Sequence, residues 1–383
     1  MVVLKAGGTS MATAHSIGLV HSLYVRHPLN RYIVVSAPGK WDGQPKITWL
    51  LSQVAKRPQD AGAFLYQVRT RYAALAEALE VEWDMDVLWE EFTAGQSPEA
   101  IVALGEHLAA HLVAKAWNIP LLDAREGVVF DGDRLDVSAS LEGLKRLTDR
   151  HPEGVMGGFF GCDKDGRVRL LPRGGSDVSG ALLAAATRSQ WYLNWTDVDG
   201  VYTDDPSLVA GARPIPRMSY AQAYAMSYWG AQVLHPDAVS PCEERGVPIR
   251  VANTFCPDLA GTVISATPKE GLVGFGGGVG YAMVTATCSA HLPFALDEAD
   301  TGEGRVWILR ATDLYRGVLA IRAQGGVPTV REVAVLAVVG TSSPWGLVHP
   351  LLTRYLWRGV ATLLILRPCE YARARIIANE ETH

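Results

Sequence analysis

The chain has 383 residues, 48% of them hydrophobic and 20% charged, with a formal net charge of −5. That apolar content supports packed cores rather than disorder, and at about 100–200 residues per domain it predicts two or three domains. The mild acidity supplies no whole-chain field for nucleic acid or an anionic membrane, so neither is expected as a partner, while anion sites built from backbone amides stay open.

In chain order, apolar and β-branched runs at 2–5, 32–36, 120–123, 155–160, 191–198 and 248–253 predict strands. Most lack strict alternation, as in strands buried on both faces of a parallel sheet sandwiched by helices, so the expected class is α/β. Helical patterns cover 101–117 and 177–188, and Ser219 reads as the N-cap of a helix running to about Trp229. Lys5, Ser36, Asp123, Thr196 and Asp197 fall at the C-terminal ends of predicted strands. In an open α/β sheet that edge carries the ligand crevice.

The texture shifts over 267–280, where GLVGFGGGVG marks a domain boundary and Gly276-Gly277-Gly278 reads as a flexible linker. The predicted division is 1–267 and 280–383. In the second part, β-like runs at 281–287, 305–309, 317–322, 332–339 and 362–366, with a helix-like stretch at 345–358, predict two small α+β units in tandem.

Cys162, Cys242, Cys256, Cys288 and Cys369 are scattered, odd in number and without a CxxC pair. That fits reduced thiols in a cytosolic protein and argues against zinc. No histidines are spaced as metal ligands, so no protein-held metal is expected. The opening MVVLKAGGTS lacks a basic stretch followed by an apolar one, and no run reaches the roughly 18 apolar residues of a membrane span. A cytoplasmic location is the expectation.

Two glycine bends carry the chemistry. The first, Lys5-Ala6-Gly7-Gly8-Thr9-Ser10, follows a strand and precedes a helical pattern. Paired glycines let a phosphate approach the backbone closely, Thr9 or Ser10 can cap the next helix, and Lys5 can reach a transferring phosphoryl group. Alone, such a turn is equally well a structural one. The second, Arg173-Gly174-Gly175-Ser176-Asp177, opens another helix. Asp177 can cap it, while Arg173 beside the bend suggests a carboxylate clamp. Neither bend is a GxxxxGK[ST] loop or a GxGxxG dinucleotide motif. Two basic-plus-GG bends in one domain point to an anion-binding enzyme.

With both bends in hand, the sequence resembles the aspartokinases of the amino acid kinase family. The carrying segments are KAGGTS (5–10), VVSAPGK (34–40) with Lys46-Ile47-Thr48, Gly105-Glu106 in ALGEHLAAHLV, and GGFFGCDKDGRVRLLPRGGSDVSGALLA (157–184). WTDVDGVYTDDP (195–206), YWGAQVLHP (228–236) and residues 248–262 complete a match over about residues 1–265, in the family's order. The resemblance implies ATP and Mg²⁺ as cofactors and transfer to the side-chain carboxylate of L-aspartate. It implies that Lys5, Gly7 and Gly8 hold the ATP phosphates, that Thr196, Asp197 and Tyr202 line the adenosine side, and that Thr48, Glu106, Arg173 and Ser176 take the amino acid. Asp177 would orient Lys5 and the reacting groups. Without the resemblance, Glu106 reads equally as a solvated helix carboxylate, and His235 as a structural polar residue.

The pattern also departs from the family. Ser207 and Gln232 stand where aspartokinases usually carry Arg and Lys, Ala6 replaces Phe, and Pro172 replaces Gly. A charge-assisted hydrogen bond is worth about 1.5–3 kcal/mol, so losing two cations weakens ATP binding unless others compensate. The C-terminal part resembles tandem ACT domains faintly: its loop GTSSPWG (340–346) lacks the usual pattern. Weak feedback control and a homodimer through the ACT-like region are therefore expected, with an aspartate kinase in a dedicated pathway as the leading reading. A family enzyme for another amino or hydroxy acid, and a degenerate kinase that binds ligand and regulates a partner, are the alternatives.

Overall fold

The computed structural model describes residues 1–383 except 95, 96, 173, 232, 233, 269, 271, 289, 301–303, 341–352, 358–360, 373 and 376–383. The chain divides into two compact units, one of residues 1–201, 214–224 and 233–268, the other of 202–213, 225–232 and 269–383.

The first unit is built on an eight-stranded sheet in the order Arg217–Ser219, Thr262–Ser265, Ile249–Asn253, Trp191–Thr196, Val2–Ala6, Asn30–Val35, Gly154–Gly157, Leu121–Leu122. Every neighbouring pair is parallel except Ile249–Asn253 with Thr262–Ser265. The central strand Val2–Ala6 is buried at all five positions, Lys5 included, as a strand covered on both faces requires. Helix Gly175–Ala186 packs on Val2–Ala6 and Trp191–Thr196, and helix Pro98–Trp117 on Asn30–Val35 and Gly154–Gly157. Ser219 caps helix Tyr220–Tyr228: its hydroxyl accepts from the Gln222 amide at 3.1 Å, and the Gln222 side chain accepts from the Ser219 amide at 2.8 Å.

The run at 155–160 is not one strand. Gly154–Gly157 ends in the main sheet, and Phe160–Asp163 enters a separate four-stranded sheet with Val129–Asp131, Arg134–Leu135 and Val168–Leu170. Phe159 makes the corner at φ 77°. A bulky residue in the left-handed region is strained, and such strain collects at functional sites.

The second unit is one six-stranded, wholly antiparallel sheet: Asp297–Asp300, Arg305–Arg310, Leu272–Ala286, Thr329–Gly340, Ala361–Leu366, Thr353–Trp357. Phe275, Leu336, Leu364 and Leu366 belong to one of its cores and Val284, Trp307, Leu309 and Ile321 to another. The apolar run at 317–322 belongs to helix Leu314–Ala323, not a strand; a short apolar run fits either, and here Gly317 and Ile321, four apart, form its buried stripe. Of the helix-like 345–358, Thr353–Trp357 is a strand and the rest lies outside the described residues, as do 341–346 of the GTSSPWG loop.

Gly276-Gly277-Gly278 is not a linker. It sits inside the 15-residue strand Leu272–Ala286, where register shifts between 278 and 281 mark an irregularity. Gly277 has φ 128°, and a Cβ there would come 2.0 Å from the Val335 carbonyl oxygen. Glycine in a strand marks such a close backbone approach. Gly277→Ala should lower stability by roughly 1–3 kcal/mol, read as a fall in the urea midpoint of this unit; an unshifted midpoint would show that the strands can part without cost.

Candidate active site

The two glycine bends open on one cleft of about 500 Å³, lined by Lys5, Gly8 and Thr9 from the first and by Gly174, Gly175, Ser176 and Asp177 from the second. Parallel topology explains the meeting. Val2–Ala6 is central in the sheet, the first bend leaves its C-terminal end, and the helix that begins at Gly175 packs on the same strand. The cleft therefore lies at the carboxyl edge, where such sheets hold ligands.

Lys5 joins the bends. Its ammonium lies 2.7 Å from Asp177 Oδ1, with both side chains largely buried. Asp177 is itself held: the Asn194 amide donates to Oδ1 at 3.1 Å, and the Tyr192 hydroxyl donates to the Asp177 carbonyl at 3.0 Å. Asp177 is thus not the cap of its helix. Gly174, at φ 85°, takes the N-cap position, and its carbonyl accepts from the Asp177 amide at 2.9 Å. The amides of this helix start and its dipole favour an anion at the cleft.

The first bend is fixed by a contact between glycines. The Gly7 amide donates to the Trp195 carbonyl at 3.0 Å and the Gly39 amide to the Gly8 carbonyl at 2.7 Å. A Cβ on Gly39 would lie 2.6 Å from the Gly8 carbonyl carbon. Gly39→Ala must push the first bend away from the backbone at Gly39, and a displacement near 1 Å of a positioned group costs about 10²-fold. That loss in kcat/KM for the nucleotide is expected in steady-state assays; unchanged kinetics would show that the crossing does not set the site.

Thr9 and Ser10 do not cap the next helix, whose N-cap is Thr13 in a reciprocal pair with Ser16. Thr9 instead donates to Asp197 Oδ2 at 2.9 Å, and the Thr196 hydroxyl to Asp197 Oδ1 at 3.2 Å, so the Trp191–Thr196 strand end is tied to the first bend. Ser10 bonds Thr254 at 2.8 Å.

Glu106 is not solvated. It is 4% exposed on helix Pro98–Trp117, yet its residue lines the cleft. Thr48 donates to Oε1 at 3.1 Å, while Oε2 has no hydrogen-bond partner among the described residues. Burial pushes this carboxyl up to about 7, against the pull of hydrogen bonds from the Ala37 main chain, its own backbone and Thr48. A buried carboxyl with one open oxygen is a receptor for a cation.

Thr48, Ser176 and Ser36 also line the cleft. Arg173 and Gln232 lie outside the described residues. Tyr202 falls in the segment 202–213 of the second unit and is not a lining residue. Ser207 closes a local turn, its amide and hydroxyl donating to Asp205 Oδ1 at 2.9 and 2.6 Å. Asp123 ends an edge strand and binds the Arg125 guanidinium away from the cleft lining. His235 is structural: it caps helix Pro236–Arg245, its Nδ1 accepting from the Asp237 amide at 3.2 Å.

The structure adds Lys46, Gly39 and Phe159 to the lining. Lys46 immediately precedes helix Ile47–Lys56, which carries Thr48, and is a second cation lining the cleft. Its place in the segment Lys46-Ile47-Thr48 was the available signal. Phe159 had none, because its strained corner depends on the switch between two sheets. Among the described residues, no three His, Cys, Asp or Glu side chains gather to hold a metal, and no helix is long and apolar enough to cross a membrane.

Comparison with known proteins places this arrangement. The profile of the amino acid kinase family matches residues 1–253. Aspartokinase 3 of Bacillus subtilis is 32% identical over 329 residues, spanning 80% of this chain and 72% of that one. Aspartokinase of Chlamydia pneumoniae is 29% identical over 290 residues, 70% of this chain and 64% of the relative. The chain thus spans about two thirds to three quarters of these relatives. In fold, it matches E. coli aspartokinase III in complex with aspartate and ADP, with a TM-score of 0.82 at 22% identity over 99% of both chains. Clostridium acetobutylicum aspartate kinase matches at a TM-score of 0.80 and 23% identity over 100% of both.

Proposed function

The chain belongs to the amino acid kinase family, among its aspartokinases, and we propose that it transfers the γ-phosphoryl group of ATP to the side-chain carboxylate of L-aspartate, giving 4-phospho-L-aspartate. The observation that carries this reading is the convergence of two glycine bends on one cleft, bridged by the Lys5–Asp177 pair. A cleft of this kind suits two anions at once.

The acceptor carboxylate is already a nucleophile at neutral pH, so the chemistry asks for position and charge neutralisation, not a general base. Lys5, Gly7 and Gly8 take the phosphates. Lys5 stays close to the transferring group and offsets the charge that develops there, while Asp177, fixed by Asn194, holds Lys5 in place. Lys46 contributes the further positive charge that Ser207 does not supply. Thr196 and Asp197, tied to the first bend through Thr9, border the adenosine side. The assignment of Tyr202 to that side rests on the resemblance alone.

The amino acid lies against the second bend. Ser176 and Arg173 receive a carboxylate, and ionised Glu106, steadied by Thr48, receives the α-ammonium through its open Oε2. Mg²⁺ belongs to the same proposal: bound together with the nucleotide, it would neutralise phosphate charge. Asp177, which pairs with Lys5, and Asp197, which accepts from Thr9, are the residues that would help hold it. A homodimer through the second unit completes the reading.

The test is ADP release over a panel of amino and hydroxy acids, with acyl phosphate trapped by hydroxylamine. L-Aspartate should give the largest kcat/KM and a β-hydroxamate. A different best acid would move the substrate within the family, and no acid-dependent ADP release would leave a binding protein.

A further inference from the structure

A second cleft, of about 430 Å³, opens in the first unit, and none of its lining residues lines the site described above. Its volume falls in the range of small-molecule sites, about 300–1,000 Å³. Leu50, Leu75 and Pro45 give it apolar walls, and Trp41 and Tyr66, 56% and 70% exposed, stand at its rim. Its one charged lining residue is Arg71.

Arg71 is 8% exposed, and no described carboxylate pairs with it. Its guanidinium donates to three main-chain carbonyls: Pro45 at 2.8 Å, Ala12 at 3.4 Å and Gly39. A guanidinium has five N–H bonds, so two remain unspent. Carbonyls satisfy hydrogen bonds but bring no net charge, and a buried charge is costly without a counter-ion. Burial accordingly pulls the Arg71 guanidinium below its ordinary range, opposed only by the neighbouring Tyr72 phenol.

We propose that this cleft is an effector site for a small organic monoanion, a carboxylate on a flat aromatic or short branched apolar body. The acid meets the free N–H bonds of Arg71, and the body lies between the apolar wall and the aromatic rim. Cleft and active site share a mechanical link. Arg71 holds the Gly39 carbonyl, Gly39 abuts Gly8, and Pro45 directly precedes Lys46. An anion drawing on the same guanidinium shifts the load on that crossing.

Only the effect on ATP rests on the kinase reading; binding does not. The full-length protein is titrated with 3-phenylpropionate, indole-3-propionate and 4-methylpentanoate, each against its amide, by calorimetry and saturation-transfer NMR. At least one acid should bind saturably, its amide about tenfold weaker or less tightly still. Ala74→Trp, at an exposed helix position lining the cleft, should abolish binding with the unfolding midpoint and basal ADP release unchanged. No saturable binding up to about 10 mM, equal affinity for acid and amide, or undiminished binding in Ala74→Trp overturns the site. A bound acid should shift the KM for ATP at least about twofold; an unshifted KM overturns the effector role. A protein without aspartate-dependent ADP release fails the kinase reading and leaves the binding result intact.

Discussion

Lys5→Met should lower kcat by about 10²–10³-fold, the usual loss when one preorganised electrostatic group is removed from a transition state. Methionine keeps most of the buried stem and deletes the charge. Lys5 leaves the end of a fully buried strand, and its ammonium is fixed 2.7 Å from Asp177, so it has little freedom to be replaced by water. The KM for aspartate should change little, because other residues grip the amino acid. Asp177→Asn, which keeps the lysine charge and loses the fixed orientation, should cost less than Lys5→Met. Single-turnover kinetics with both substrates saturating separates chemistry from release. A Lys5→Met rate within tenfold of the parent would remove Lys5 from the transferring group.

Glu106 should impose a pH dependence whose effects on activity and on stability run in opposite directions. Its carboxyl is raised to about 7 in the folded chain, against 4.5 for an ordinary glutamate. Below the ordinary value it is protonated whether folded or not, and costs nothing. As the pH rises from there towards 7, the unfolded chain ionises first, the fold holds the extra proton, and stability falls. Above 7 the buried charge exacts its full penalty, with an upper bound of roughly 3–4 kcal/mol. Glu106→Gln should therefore raise the urea midpoint most above pH 7 and flatten its pH profile.

Activity should go the other way. The α-ammonium is received only by the ionised carboxyl, so kcat/KM for aspartate should fall as the pH drops below 7, approaching tenfold per unit. In Glu106→Gln that fall should vanish, and kcat/KM at pH 8 should be about 10–10² lower, equivalent to 1.5–3 kcal/mol. A variant that is both less stable and less active would mark Glu106 as a structural group only.

The sequence shows some of this site more readily than the rest. The glycine bends are legible because paired glycines after a strand carry a local conformational demand that no other residue meets. The order of motifs extends this to Lys5, Thr48 and Asp177, and the structure places all three on one cleft. The burial of Glu106 is not legible, since a helix pattern gives the stripe and not what covers it; the cover comes from Ala37 and Thr48, both distant in the sequence. Gly39 escapes for the same reason, because the crossing that demands a glycine involves a distant backbone. In the second unit the glycine triplet suggests a linker, whereas its lack of side chains is what lets Leu272–Ala286 run against Thr329–Gly340. The 317–322 run misleads because four to six apolar residues fit a strand and a buried helix turn equally.

The central claim is that one cleft seats a nucleotide phosphate and a substrate carboxylate together, with Lys5 serving both. A crystal structure of the protein with MgADP and L-aspartate tests it most directly. The account predicts the diphosphate at Gly7–Thr9, the aspartate ammonium on Glu106 Oε2, and the Lys5 ammonium in reach of both the terminal phosphate and the acceptor carboxylate. A nucleotide bound elsewhere, or an aspartate seated out of reach of Lys5, would contradict it.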